Sequence, residues 1–130
     1  QESLSEYRNS LRNVDYFKDV SEYEKSLKDK CFIGVLSNLC IMDKERIDKQ
    51  LNLDEYDYVF LSYELGMRKP NKEIYEYVIN HVPFEKENIL FLDDAIKNID
   101  AALDVGIKAK QVNGYDLDYI KSCVNEFLNE

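Results

Sequence analysis

The sequence predicts an α/β protein, a Rossmann-like parallel sheet with helices on both faces. Three observations carry that prediction. The apolar run 31–36 is too short for an average helix and suits a strand buried on both faces, and residues 57–62, 89–92 and 107–112 read as further short strands. Stretches with apolar residues at helical spacing separate them. The resulting order, β-α-β-α-β-α-β-α, calls for parallel strands joined by right-handed crossovers.

Each element has its own signal. Leu4, Tyr7 and Leu11 fall three and four apart, so residues 3–13 read as a helix. Ser21-x-x-Glu24 has the form of a capping box and opens a second helix over 21–29. The run 31–36 (CFIGVL) is the first strand, ended by the polar pair Ser37-Asn38. Residues 43–52 read as a helix and 57–62 (DYVFLS) as a strand. Asn71 caps a helix through about His81, with Ile74, Tyr77 and Val78 inward. The strand 89–92 (ILFL) ends in Asp93-Asp94, and a helix over 95–105 stops at Gly106. A short strand, 107–112, precedes a last amphipathic helix, 116–129, with Leu117, Ile120, Val124, Phe127 and Leu128 on one side. No repeat, low-complexity tract or Gly/Ser linker interrupts the chain. One boundary is expected near residue 30, between a helical lead-in (1–30) and the α/β array (31–130).

Length and composition bound what the chain can do. At 130 residues and 15.4 kDa it has the size of one domain. With 45% apolar and 33% charged residues it is neither disordered nor collagen-like in composition. No run approaches the roughly 18 apolar residues of a membrane span, and no basic-then-apolar leader opens the chain. It begins with Gln1 rather than Met, which suggests a piece of a longer product. Seventeen basic against 26 acidic side chains give a net charge of −9, which repels nucleic acid and acidic membrane surfaces alike. A small anionic substrate therefore needs a local cation or metal.

The three cysteines, Cys31, Cys40 and Cys123, are odd in number and show no CxxC spacing, against a disulfide framework or zinc site. Reduced thiols in a cytoplasm are the simplest reading. His81, just before Val82-Pro83 at a helix end, is expected to be structural or exposed.

In a doubly wound sheet, ligands sit outside the carboxyl ends of the strands. Three segments follow strands here: Ser37-Asn38, the loop Ser62–Pro70 containing Lys69, and Asp93-Asp94. A hydroxyl with free backbone N–H groups can hold phosphate oxygens. A lysine supplies a point charge for an anion, and adjacent carboxylates are hard ligands for Mg²⁺. Each segment alone also has a bland reading: a turn after a strand, a proline in a first helical turn, an Asp N-cap, and for Asn98 a helix-surface residue. Their order and spacing together are more specific.

Val35-Leu36-Ser37-Asn38, then LSYELGMRKPNKEIYE, then FLDDAIKNIDAALDVG resemble motifs two, three and four of the haloacid dehalogenase-like (HAD) hydrolase superfamily. The wording is similar to that of its sugar-phosphatase and soluble-epoxide-hydrolase phosphatase-domain types. The resemblance covers roughly residues 20–115, and in motif four Asp93, Asp94, Asn98, Ala101, Ala102 and Gly106 are in register. It implies a HAD-like core and a Mg²⁺-dependent phosphatase acting on small phosphomonoesters, possibly sugar phosphates, through an aspartyl-phosphate intermediate. Ser37 would bond the transferring phosphoryl group, helped by the Asn38 backbone N–H. Lys69 would serve both substrate binding and catalysis, bridging that group and the nucleophilic carboxylate. Asp94 would ligate Mg²⁺ directly, Asp93 would ligate it or hold a metal-bound water, and Asn98 would support the site.

The family's first motif, DxDxT/V on the first strand, carries its nucleophile and general acid–base. It is absent here: Asp116-Leu117-Asp118 lies in the last helix region, and Asp15 and Asp19 are four apart after no strand-like run. Most of the cap is absent too, and 1–30 reads as a remnant of cap and linker helix. The resemblance places the missing strand mid-sheet, between the strands at 31–37 and 89–92, leaving two inner strands with unpaired edges. Three outcomes are expected: a missing N-terminal segment or another chain fills the gap, the flanking strands close up, or a second copy exchanges into it. The fragment alone is expected to be inactive, because covalent transfer needs its nucleophile. Two other readings stand beside this one: a non-catalytic, degenerate HAD-like binding module, and a haloacid dehalogenase, which needs no metal.

Overall fold

A computed structural model describes residues 14–43, 53–113 and 116–130. The described elements are α1 (Val14–Ser26), β1 (Gly34–Ser37), β2 (Tyr58–Leu61), α2 (Ser62–Leu65), α3 (Lys72–His81), β3 (Leu90–Asp93), α4 (Ile96–Asp104), β4 (Lys108–Gln111) and α5 (Leu117–Leu128). Single 3₁₀ turns at Leu53–Glu55 and Lys86–Asn88 precede β2 and β3. The helix expected over 3–13 and most of the one expected over 43–52 lie outside the described residues.

The strands form two separate parallel pairs. β1 lies beside β2 with Gly34 opposite Tyr58 and Ser37 opposite Leu61, and β3 beside β4 with Leu90 opposite Lys108 and Asp93 opposite Gln111. Among the described residues no ladder joins β1 to β3. The expected closing-up of the flanking strands is therefore not what the chain does. A trough of about 1200 Å³ separates the pairs, lined by Gly34, Leu36, Phe91 and Leu92 along the two edges and by Val124 and Phe127 of α5. The buried apolar residues form two clusters, and Leu36 of β1 packs against the second. Val35, Leu39 and Leu61 form one cluster, and Ile74, Tyr75, Ile99, Ala102, Ile107 and Ala109 the other.

Several boundaries and faces differ from the sequence reading. α1 begins at Val14, so Ser21 and Glu24 sit within the helix and form no capping box. Glu24 instead accepts a hydrogen bond from Tyr56 Oη at 2.7 Å, tying α1 to the turn before β2. On α3 the buried residues are Ile74, Tyr75 and Val78, whereas Tyr77 packs its ring edge-on against Phe60 and is only half-buried. The Asn71 side chain makes no capping hydrogen bond, although the residue does occupy the N-cap. Asp116 does cap α5, accepting from the Tyr119 N–H at 3.0 Å. Gly106 has φ +98° after α4, and an added Cβ would lie 2.9 Å from the Lys86 side chain, so the turn into β4 requires glycine.

Candidate active site

The parallel register puts the carboxyl ends of β1, β2 and β3 at Ser37, Leu61 and Asp93. The three segments that follow them converge. Among the described residues, the buried polar side chains are Ser37, Lys69, Asp93 and Asn98. Buried polar groups are costly unless paired, so their collection in one place calls for a local explanation.

Lys69 is the hub. Its Nζ donates to Asp93 Oδ2 at 2.7 Å and to the Leu36 carbonyl at 3.0 Å, thereby linking the end of β3 to the end of β1. Both side chains of the ion pair are fully enclosed. The ammonium also lies 5.4 Å from the Phe91 ring centroid, within cation–π range. The lysine reaches this point from a loop that begins as α2, turns at Gly66 in the left-handed conformation, and passes through a cis Lys69-Pro70 bond.

Asp93 is held from several sides. Its Oδ1 accepts from the Ala95 N–H at 2.9 Å, and its Oδ2 also accepts from Asn98 Nδ2 at 3.2 Å. Asn98 is fixed in turn: Tyr75 Oη donates to its carbonyl at 3.0 Å. Burial, and secondarily the nearby Asp93 carboxylate, pushes the Tyr75 phenol well above its usual range, so it stays a donor. Asp94 is half-buried, and its carbonyl accepts from Gln111 Nε2 at 3.0 Å. Ser37 Oγ is buried without a hydrogen-bond partner among the described residues. Asn38 does not sit idle in a turn; its side-chain amide grips the Lys69 main chain.

Hydrogen bonds thus link Asn38, Lys69, Asp93 and Asn98 into one cluster, with Ser37 next to Asn38 and Asp94 next to Asp93 in the chain. Sequence reasoning missed Tyr75 and the role of the Asn38 side chain. Tyr75 had a usable signal, since it lies three residues before the inward Val78.

The donor set suits a magnesium ion in kind. Asp93 and Asp94 carry adjacent carboxylates, the hard oxygen donors magnesium takes, with both Asp93 oxygens already accepting from Ala95, Lys69 and Asn98, and the Ser37 hydroxyl is a buried polar atom in want of a partner. It falls short in number: among the described residues no three His, Cys, Asp or Glu side chains cluster to hold a metal. His81, at the end of α3, is exposed, its Nδ1 lying 2.7 Å from the Tyr77 carbonyl, and takes no part in the site. Cys31 is half-buried, Cys40 exposed and Cys123 buried. No described helix is long and apolar enough to cross a membrane.

Comparison with known proteins finds relatives of this chain. The family model described as haloacid dehalogenase-like hydrolase matches residues 1–112. D-ribitol-5-phosphate phosphatase of Bacteroides thetaiotaomicron is 32% identical over 108 residues, covering 82% of this chain and 52% of that protein. A sesquiterpene phosphatase of Aspergillus oryzae is 39% identical over 54 residues, covering 42% of this chain and 28% of that one. Among solved structures, a HAD family enzyme from B. thetaiotaomicron in complex with magnesium and inorganic phosphate superposes with a TM-score of 0.63 at 26% identity, covering 66% of this chain and 47% of that chain. The chain spans about half the length of D-ribitol-5-phosphate phosphatase, and less of the sesquiterpene phosphatase.

Proposed function

The chain belongs to the haloacid dehalogenase-like hydrolases, and from that premise we propose that it is the C-terminal part of a magnesium-dependent phosphatase. Its substrates are small phosphomonoesters, sugar phosphates among them. The observation that carries this reading is the buried Lys69 ammonium, bonded at once to the end of β1 and to Asp93 at the end of β3.

The geometry supports the following division of labour. Ser37 Oγ has an unmet hydrogen bond to offer a phosphoryl oxygen. Lys69 sets a fixed positive charge where a phosphoryl group and an attacking carboxylate would otherwise repel one another. Asp93 and Asp94 would hold Mg²⁺, which when bound stabilises charge on the phosphoryl oxygens. Asn98 and Tyr75 keep Asp93 oriented. The nucleophilic carboxylate comes from outside this chain, on an extended strand seated in the trough between β1 and β3, and an aspartyl-phosphate forms there before hydrolysis. The free thiols suit a reducing cytoplasm.

The trough also favours a second reading, a non-catalytic module that only binds a strand. One experiment separates the readings. The longer gene product containing this chain is assayed for release of phosphate from p-nitrophenyl phosphate and of halide from a haloacid. Mg²⁺-dependent phosphate release, lost in Asp94→Asn and absent from the 130-residue chain alone, is expected. Halide without phosphate, turnover independent of metal, or activity of the isolated chain overturns the proposal.

A further inference from the structure

Asn38 is half-buried at the turn after β1, where a polar residue needs no special reason to be. Its side chain has one nonetheless. Asn38 Nδ2 donates to the Lys69 carbonyl at 2.8 Å, and Asn38 Oδ1 accepts from the Lys69 N–H at 2.8 Å. The carboxamide thus reads both hydrogen-bonding groups of a single residue 31 positions away. Only an amide side chain offers a donor and an acceptor side by side; aspartate would present a second acceptor to the Lys69 carbonyl.

The next residue repeats the device at the other end of the same loop. Ser62 Oγ accepts from the Leu39 N–H at 2.8 Å and donates to the Leu39 carbonyl at 3.1 Å. The excursion from Ser62 to Lys69 is therefore stapled at both ends to two consecutive residues after β1. Two residues before Asn38, the Leu36 carbonyl receives the Lys69 ammonium. One short stretch of chain holds the lysine by its backbone and by its charged tip.

We propose that Asn38 is a positioning residue for Lys69. Its side chain fixes where the lysine main chain starts, and so keeps the ammonium on the line between the Leu36 carbonyl and Asp93. The consequence for activity rests on Lys69 facing the phosphoryl group, as argued above, but the positioning itself is visible without turnover. Asn38 thereby acts through its side chain.

The test is ¹⁵N NMR of the gene product that contains this chain, following the Lys69 ammonium and the Lys69 backbone amide. A buried ammonium bonded to a carboxylate exchanges its protons slowly. In Asn38→Ala the Lys69 ammonium signal should broaden away, and its amide should exchange about tenfold faster or more, the factor that one lost hydrogen bond is worth. The β4 amides and the Asn98 amide should keep their wild-type rates. Asn38→Asp keeps an acceptor for the Lys69 N–H but sets a second acceptor against the Lys69 carbonyl, so it too should broaden the ammonium signal. Ser62→Ala, at the far end of the loop, should leave the ammonium signal in place. A wild-type Lys69 signal and exchange rate in both Asn38 variants would overturn the proposal, and so would equal acceleration at every amide. An inactive gene product with these NMR results intact would sink the phosphatase reading and leave the positioning role standing.

Discussion

Replacing Lys69 by methionine removes the cation from a fully enclosed pair and leaves the Asp93 carboxylate behind, still 99% inaccessible. Two of its hydrogen bonds remain, from the Ala95 N–H and Asn98 Nδ2. Breaking a buried pair by deleting one partner typically costs about 3–5 kcal/mol, mostly because a charge stays buried without compensation. A domain of this size has only about 5–15 kcal/mol to lose. With a urea slope of about 2 kcal/mol per molar, the unfolding midpoint should fall by roughly 2 M. Replacing Asp93 as well, in Lys69→Met/Asp93→Asn, removes the stranded charge and should recover at least half of that loss. Urea titration followed by circular dichroism on the four members of the cycle gives the coupling directly. A single-variant loss under about 1 kcal/mol, or a double variant no more stable than Lys69→Met, would refute the claim that Lys69 and Asp93 are one enclosed unit.

Two further predictions need the isolated chain only. Ser37→Ala removes a buried hydroxyl that has no partner, so stability should hold or rise by up to about 1 kcal/mol in the same titration; a loss of that size would mean the hydroxyl is bonded. Burial pushes the Glu24 carboxyl up to about 7, against a smaller opposing effect of the Tyr56 hydrogen bond. Because the folded state then binds the proton more tightly than the unfolded one, Glu24 contributes most below about pH 4.5 and loses that contribution as pH rises through about 7. The change is at most about 3 kcal/mol and, for a half-buried side chain, on the order of half that. Glu24→Gln should flatten the stability profile over this window; an unchanged slope would reject the assignment.

Much of the architecture was legible because burial imposes local patterns. β2, α3, β3, α4 and β4 fall within one to two residues of their expected positions, since each pairs a periodic apolar run with a nearby breaker such as Gly106. The convergence of Ser37, Lys69 and Asp93 followed from a rule about parallel strand ends rather than from any local signal. What the sequence concealed is lateral and long-range. Periodicity says which face of α3 is apolar but not that Tyr75 meets Asn98, 23 residues on. The Asn38 grip on Lys69 and the Glu24 contact with Tyr56 likewise join residues more than 30 apart. Ser21 and Glu24 mimic a helix start because short-range spacing cannot tell a first turn from an interior one.

Two parallel ribbons with a channel between them have a consequence for cooperativity. No ladder joins the ribbons, which meet through Leu36 and the Lys69 ammonium, so native-state hydrogen exchange should give the ladder amides of β1–β2 and β3–β4 distinct protection. A strand laid between them would join the two ladders into one hydrogen-bonded sheet that melts together.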